Sequence, residues 1–288
     1  MNIFACTNYA GVPMVLKKYQ RRLFGHSITI VDDALINRED TTNYYEYDNE
    51  IIKDKTRNLL WSLCTKYAKE RYDLYHLHGL PMQNCAVRKF RLWKKNLVAD
   101  FIRDTPAILH LHGYESKLFG EADWKTYRAV LCSTPDLWKP GMTYLPNPVD
   151  IEMWSYREHK GNKALWMKQW DVDDPPWNEA ERIVRRRAKE LGFDLTVYER
   201  RKGLRSYMSM PQFYHNWDIL IEYKPGSNYE PNKFGEPAVG LSALECMVSG
   251  LKVYFLHDDK YLHWDDFRHH DANNVARELE RVYVQVTS

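Results

Sequence analysis

The sequence predicts an α/β chain built from two parallel-sheet domains in tandem, and three observations predict it. Over the first 145 residues, short apolar runs alternate with segments of helical periodicity, the pattern of strands joined by crossover helices. The same alternation restarts after "LPNPVD" at 145–150. The length of 288 residues exceeds what one core usually serves and suits two domains of roughly 140 residues each. The boundary is therefore expected near the middle, with domains at 1–146 and 147–288.

The elements follow in order. "NIFACT" reads as the first strand, a turn follows at Asn8 to Gly11, and a helix runs through Phe24. Pro13 sits where a first helical turn tolerates it, and Gly25 stops the helix. "SITIVDD" is the next strand. Between 51 and 70, Ile51, Ile52, Leu59, Leu60, Leu63, Cys64 and Tyr67 recur at near-helical spacing, which predicts a helix before the strand "DLYHLH". Trp93, Leu97 and Phe101 mark a further helix leading to "AILHLH", and "AVLCS" and "MTYLP" complete the first set. In the second half "ALWM", "FDLTVY", "DILIEY" and "KVYFL" are strands. A helix at 178–191 carries Ala180, Ile183, Val184, Ala188 and Leu191 on one stripe and stops at Gly192. Its "RRR" at 185–187 reads as a solvated face. The last helix, near 273–284, is placed to pack back across the boundary onto the N-terminal domain.

Composition excludes several classes of function. Apolar residues make up 44% of the chain and charged residues 28%, which is the balance of a folded core and not of a disordered segment. A net charge of +2 gives no electrostatic footprint for nucleic acid. The five cysteines are scattered without a CxxC pair, as expected of reduced thiols in a cytoplasmic protein. No run of 18 apolar residues is present to span a membrane, and "MNIFACTNYAG" lacks the basic start of a signal peptide. The 10 Trp and 20 Tyr leave core packing, sugar stacking and peripheral contact with the inner face of a membrane all open.

Two stretches carry chemistry. In "GLSALECMVSG" (240–250), Ala243, Leu244, Met247 and Val248 share one helical face, so Glu245 is expected to point away from the core as an accessible carboxylate in the first turn. Helix starts expose unpaired N–H groups and partial positive charge, and Gly240 puts no side chain in the way, so Gly240, Leu241 and Ser242 form a candidate phosphate cradle. Ser242-x-x-Glu245 also fits a capping box, in which both side chains merely close the helix start. The second stretch is the pair of His-x-His runs, His76/His78 and His110/His112. Spacing by two on a strand points both rings of each pair to one face, which suits a metal, a ligand cleft or ordinary hydrogen-bonded packing.

These residues carry a resemblance. "FGEPAVGLSALECMVSGLKVYF" resembles the acidic signature of the retaining glycosyltransferases of family 4, and "TYLPNPVDIEMW" resembles their interdomain segment. "MSMPQFYHNWDILIEY", "TNYAGVPMVLKKY", "YDLYHLHG" and "PAILHLHG" are similar to further parts of the family, so the likeness spans nearly the full chain. It implies a GT-B fold, two Rossmann-like domains facing a central cleft, the first on the acceptor side and the second binding the donor. It implies transfer from a UDP or GDP sugar to a glycan, lipid-linked or small-molecule acceptor, with retention, no required cofactor and no metal ligands. Glu245 matches the ribose-binding glutamate, and Glu236 stands one residue from the place of the sugar-contacting one. Lys168 would supply countercharge, in place of the Gly-Arg and later lysine that this chain lacks, with Arg201 or Lys202 as a second base. Gly11 and Asn147 would line the donor site and His112 its sugar end, with Asn147 and Pro148 shaping the hinge. The chain is shorter than most members and shows no clear helix between "FDLTVY" and "DILIEY". A metal-dependent hydrolase using the His-x-His pairs, and a noncatalytic nucleotide-sugar or glycan-binding protein, are the competing readings.

Overall fold

A computed structural model describes residues 1–6, 11–33, 51–54, 72–78, 105–112, 127–168, 175–199, 209–225, 234, 237 and 239–288. The chain divides into two compact units, one holding the first sheet together with Ala272–Ser288, the other holding Val149–Asp271. Each unit carries a sheet in which parallel pairing dominates, so the fold is α/β, as the alternation predicts.

In the first unit, strand β1 (Asn2–Cys6) leads to helix α1 (Val12–Phe24), followed by β2 (Ser27–Asp33), β3 (Ile51–Asp54), β4 (Leu74–His78), β5 (Ala107–Leu111), β6 (Ala129–Cys132) and β7 (Thr143–Tyr144). The sheet order is β3-β2-β1-β4-β5-β6-β7, all parallel. Strand order reverses between β1 and β4, and in such sheets ligands collect outside the carboxyl ends of the strands at that reversal. Every residue of β4 and β5 is buried, as a parallel strand covered on both faces requires. Helix α1 opens on Gly11 at φ 74°, a left-handed conformation that glycine adopts without strain, and closes on Gly25 at φ 68°, whose N–H donates to the Arg21 carbonyl.

The second unit contains β8 (Lys163–Lys168), α2 (Pro175–Glu190), β9 (Asp194–Glu199), α3 (Met210–Tyr214), β10 (Ile219–Glu222), α4 (Leu241–Val248), β11 (Lys252–Phe255) and β12 (Lys260–Leu262). Its order is β12-β11-β10-β8-β9, parallel except for the β11/β12 pair. The reversal falls between β8 and β10. On one face, Ala180, Val184 and Ala188 of α2 pack on Ala164, Trp166, Ile219 and Ile221. Alternation turns Leu220, Val253 and Phe255 to the other face, where α4 packs against β10 and β11. The arginine run of α2 lies outward in short-range pairs, Arg185 with Glu181 and Arg187 with Glu190, while Arg187 also meets Asp259.

The chain then returns. A 3₁₀ turn at Trp264–His270 brings the His270 carbonyl to the Val149 N–H at 2.7 Å, and Val149 bridges Asp271, so the outgoing and returning segments run side by side. Helix α5 (Ala272–Thr287) sets Val275, Leu279, Tyr283 and Val286 into the same core as Ile3, Ile28, Leu74, Ile108 and Leu131. It also lies against α1, where the Gln20 side-chain amide donates to the Ala276 carbonyl at 2.6 Å.

The structure departs from the sequence expectation in three elements. Ile51–Asp54 is a strand and not the start of a helix, because Ile51 to Asp54 pair in parallel with Ile30 to Asp33 of β2. A five-residue helix, α3, stands where the residues show no clear helix but the family resemblance implies one, and β12 adds an antiparallel edge. The remainder of the helix expected over 51–70, and the one through Trp93, Leu97 and Phe101, lie outside the described residues.

Candidate functional site

The carboxyl ends of β4 and β5 carry the histidine pairs. Alternation puts Leu74, His76 and His78 on one face of β4 and Ile108 and His110 on the same face of β5, and His112 follows directly after β5. The rings form two coplanar rows. In the inner row the Tyr283 hydroxyl meets His76 Nδ1 at 2.7 Å, His76 Nε2 meets His110 Nδ1 at 3.1 Å, and His110 Nε2 meets Ser133 Oγ at 2.6 Å. In the outer row His78 Nδ1 meets His112 Nε2 at 2.9 Å. The rows lie 4.1 Å apart between ring centroids, at both His76/His78 and His110/His112.

Such packing is stable only with uncharged rings. Burial, and next the field of His112, push His76 down to about 3. Burial lowers His112 to about 3 against an opposing hydrogen bond to Asn147. His78 and His110 lie well below the ordinary range, again from burial first and then from the neighbouring rings. All four are neutral at pH 7. Two residues singled out in the sequence, His112 and Asn147, are thus brought together, and the His112 carbonyl also accepts the Thr134 hydroxyl at 2.9 Å.

In the second unit the reversal between β8 and β10 is flanked by Lys168, Glu222 and the mouth of α4. Gly240 is the N-cap of α4 and makes no side-chain cap bond, so the capping box of Ser242 and Glu245 does not form. Its N–H donates to Glu222 Oε1 at 3.0 Å, and Lys224 Nζ lies 3.4 Å from the same oxygen. A Cβ at Gly240 would come 2.6 Å from Lys224 Nζ and 3.2 Å from Glu222 Oε1, so the missing side chain lets this carboxylate and ammonium close over the helix start. Leu241 and Ser242, both half-buried, supply the first-turn N–H groups.

Glu245 differs from expectation. It lies in the second turn of α4 and is 4% exposed, with the Tyr214 hydroxyl donating to Oε2 at 3.3 Å. The sequence suggests an outward face because only one apolar stripe shows. In the fold α4 is covered on further sides, by Tyr214 of α3 and by the 264–270 turn, so six consecutive residues from Ala243 to Val248 are buried. Burial, and then the charges of Glu245 and Glu222, raise the thiol of Cys246 between them well above its usual range.

Lys168 is placed at the end of β8 as expected, but 3% exposed, and its ammonium is taken by Glu181 Oε2 at 3.0 Å and Asn178 Oδ1 at 3.2 Å. Glu181 is held below the usual carboxylate range: burial alone would raise it, and hydrogen bonds from Lys168 and Arg185 outweigh that. Glu236, Arg201 and Lys202 lie outside the described residues.

No protein-family model matches the chain, and no curated protein matches it. Solved structures are similar to it. Acinetobacter baumannii MurG aligns over 98% of this chain and 84% of its own, at 10% identity and a TM-score of 0.44. Staphylococcus aureus MnaA with UDP aligns over 99% and 90%, at 16% identity and 0.45. The GtfA/B complex aligns over 82% and 61%, at 10% identity and 0.44.

Glu222 and Lys224 are the site residues that sequence reasoning missed. The available signal was a lone acid ending the apolar run "DILIE", on the strand that precedes the acidic signature. A cavity of about 730 Å³, lined by Trp154, Tyr156, Met247, Lys252, Tyr261 and Trp264 among others, lies at the opposite end of α4. A helix C-terminus carries partial negative charge, which disfavours a diphosphate there.

Proposed function

We propose that the chain is a glycosyltransferase that moves a sugar from a nucleotide-diphosphate sugar, of UDP or GDP, onto a hydroxyl of a glycan, lipid-linked or small-molecule acceptor. The observation that carries this reading is the second sheet's reversal point, where the mouth of α4 opens at the carboxyl edge beside Glu222 and Lys224. Nucleotides bind at this position in open α/β sheets. The sequence around it also runs in the order of the family 4 acidic signature.

The chemistry asks for little covalent help. The leaving diphosphate develops negative charge, which the first-turn N–H groups of Leu241 and Ser242 and the Lys224 ammonium are suited to meet. Glu222 must yield the Gly240 N–H, since a carboxylate and a phosphate repel one another at one helix start. Glu245 is assigned to the ribose hydroxyls, exchanging the Tyr214 hydroxyl for them. Gly11, with its left-handed backbone at the first βα turn, and His112 with Asn147 belong to the first unit, which is assigned to the acceptor. The donor is assigned to the second unit, Val149–Asp271. Glu236 is assigned to the sugar, Lys168 to background countercharge, and the reaction to retention without a catalytic metal, at a cytoplasmic location.

Thermal shift with a panel of UDP, GDP and ADP sugars, read together with slow donor hydrolysis, tests the proposal. One nucleotide class is expected to raise the melting temperature by several degrees and to release its diphosphate. Glu245→Gln and Lys224→Gln should each weaken that shift at least tenfold in concentration. Binding without any release would favour the noncatalytic reading, and hydrolysis abolished by chelator would favour a metal-dependent hydrolase. No shift with any donor would end the proposal.

A further inference from the structure

We propose that His76, His78 and His110 form a binding site for one divalent transition ion of the zinc type inside the first unit. Among the described residues these three histidines offer ring nitrogens that all lie within 4.8 Å of one another. The parallel register produces this: His78 pairs with His110 and His76 with Ile108, so the rings of neighbouring strands meet on one face.

The outer hydrogen bonds prepare the inner nitrogens. His76 Nδ1 is held by the Tyr283 hydroxyl at 2.7 Å and His110 Nε2 by Ser133 Oγ at 2.6 Å. That leaves His76 Nε2 and His110 Nδ1 facing each other at 3.1 Å, sharing a single proton. Two nitrogens bound to a tetrahedral zinc at 2.0–2.1 Å stand ~3.3 Å apart, close to this spacing. Binding then needs no net loss of protons. The shared proton moves to the outer nitrogen that lacked one, so each ring carries its single proton outside, and the Tyr283 and Ser133 oxygens both accept, the hydroxyl that had been donating turning its own proton away. Both inner lone pairs are freed for the metal, and the hydroxyl partners fix the tautomers as outer partners do in known metal sites. His78 lies in the next row, 4.1 Å from His76 and 5.0 Å from His110 between centroids, and supplies the third nitrogen. His112 Nε2, 2.9 Å from His78 Nδ1, is the outer partner that orients the His78 ring. Burial keeps every ring neutral, the form a metal requires. Three protein nitrogens leave a fourth position for a water or another small ligand.

The test is Co²⁺ titration of the full chain after dialysis against chelator, in reducing buffer. Expected are one Co²⁺ per chain, the intense visible bands of a four-coordinate ion, no thiolate charge-transfer band, and displacement by Zn²⁺. His78→Gln and His110→Gln should lose the bands, while His263→Gln, at an exposed histidine of the other unit, keeps them. Where a glutamine variant does not fold, Ser133→Ala retains all the rings and removes an outer partner, and should bind Co²⁺ about tenfold more weakly. Lack of stoichiometric binding by the wild type, a thiolate band, or unchanged binding in folded His78→Gln, His110→Gln or Ser133→Ala overturns the site.

Discussion

Lys168 shows how a charge foreseen for a ligand can be used up inside the fold. It is nearly inaccessible, and Glu181 at 3.0 Å supplies the opposite charge that makes its burial tolerable. Glu181→Gln is expected to cost about 1–3 kcal/mol, between the values for a surface pair and a fully buried one because Glu181 remains partly exposed. The pH dependence has a definite sign. The Glu181 carboxyl titrates lower in the folded chain than its ordinary 4.5, so its contribution is complete above pH 4.5 and fades as pH falls below it. Urea unfolding of wild type and Glu181→Gln between pH 7 and pH 3.5 should show two curves that differ at neutral pH and converge in acid.

At the level of elements, the long helices were legible from their period and the buried strands from their short apolar runs. The stripe of Ala180, Val184 and Ala188 in α2 faces the sheet as read. Ile51 and Ile52 fit the near-helical spacing of the residues that follow, but two adjacent apolar residues by themselves suit either a helix or a strand. Their state is decided by β2, a partner far along the chain. Glu245 failed for a related reason: the pieces that cover it, α3 and the 264–270 turn, are too short to announce themselves. The end of α4 offers a sharper case. Gly250 has φ 91°, and a Cβ there would run into the Arg157 carbonyl, while the Arg157 N–H donates to the Ser249 carbonyl at 3.0 Å. Gly192, at φ 71°, has nothing within 4 Å of such a Cβ. Gly192→Ala should therefore cost about 1 kcal/mol from backbone strain alone, and Gly250→Ala clearly more, about 2–4 kcal/mol. Thermal melts of the two variants side by side measure the difference, and equal melting temperatures would contradict it.

Across the whole molecule, the first unit is made from two stretches far apart in sequence. Helix α5 gives it Val275, Leu279, Tyr283 and Val286, each worth about 1.5–3 kcal/mol of burial. It also supplies the Glu280 carboxylate that meets His26 Nε2 at 2.7 Å. Removing residues 272–288 is therefore expected to expose one face of the first sheet, binding a hydrophobic dye such as ANS and abolishing its cooperative melt. A truncated chain that melted like the intact one would count against this account of the core.

That return also sets an order of events in the cell. As the chain leaves the ribosome, its first seven strands emerge early yet have no cover for the face that α5 will occupy. Val149 to Asp271, by contrast, is continuous and can close upon itself as soon as it is out. The part synthesised first is then the part finished last, and while it waits its apolar face is what a nascent-chain chaperone would hold.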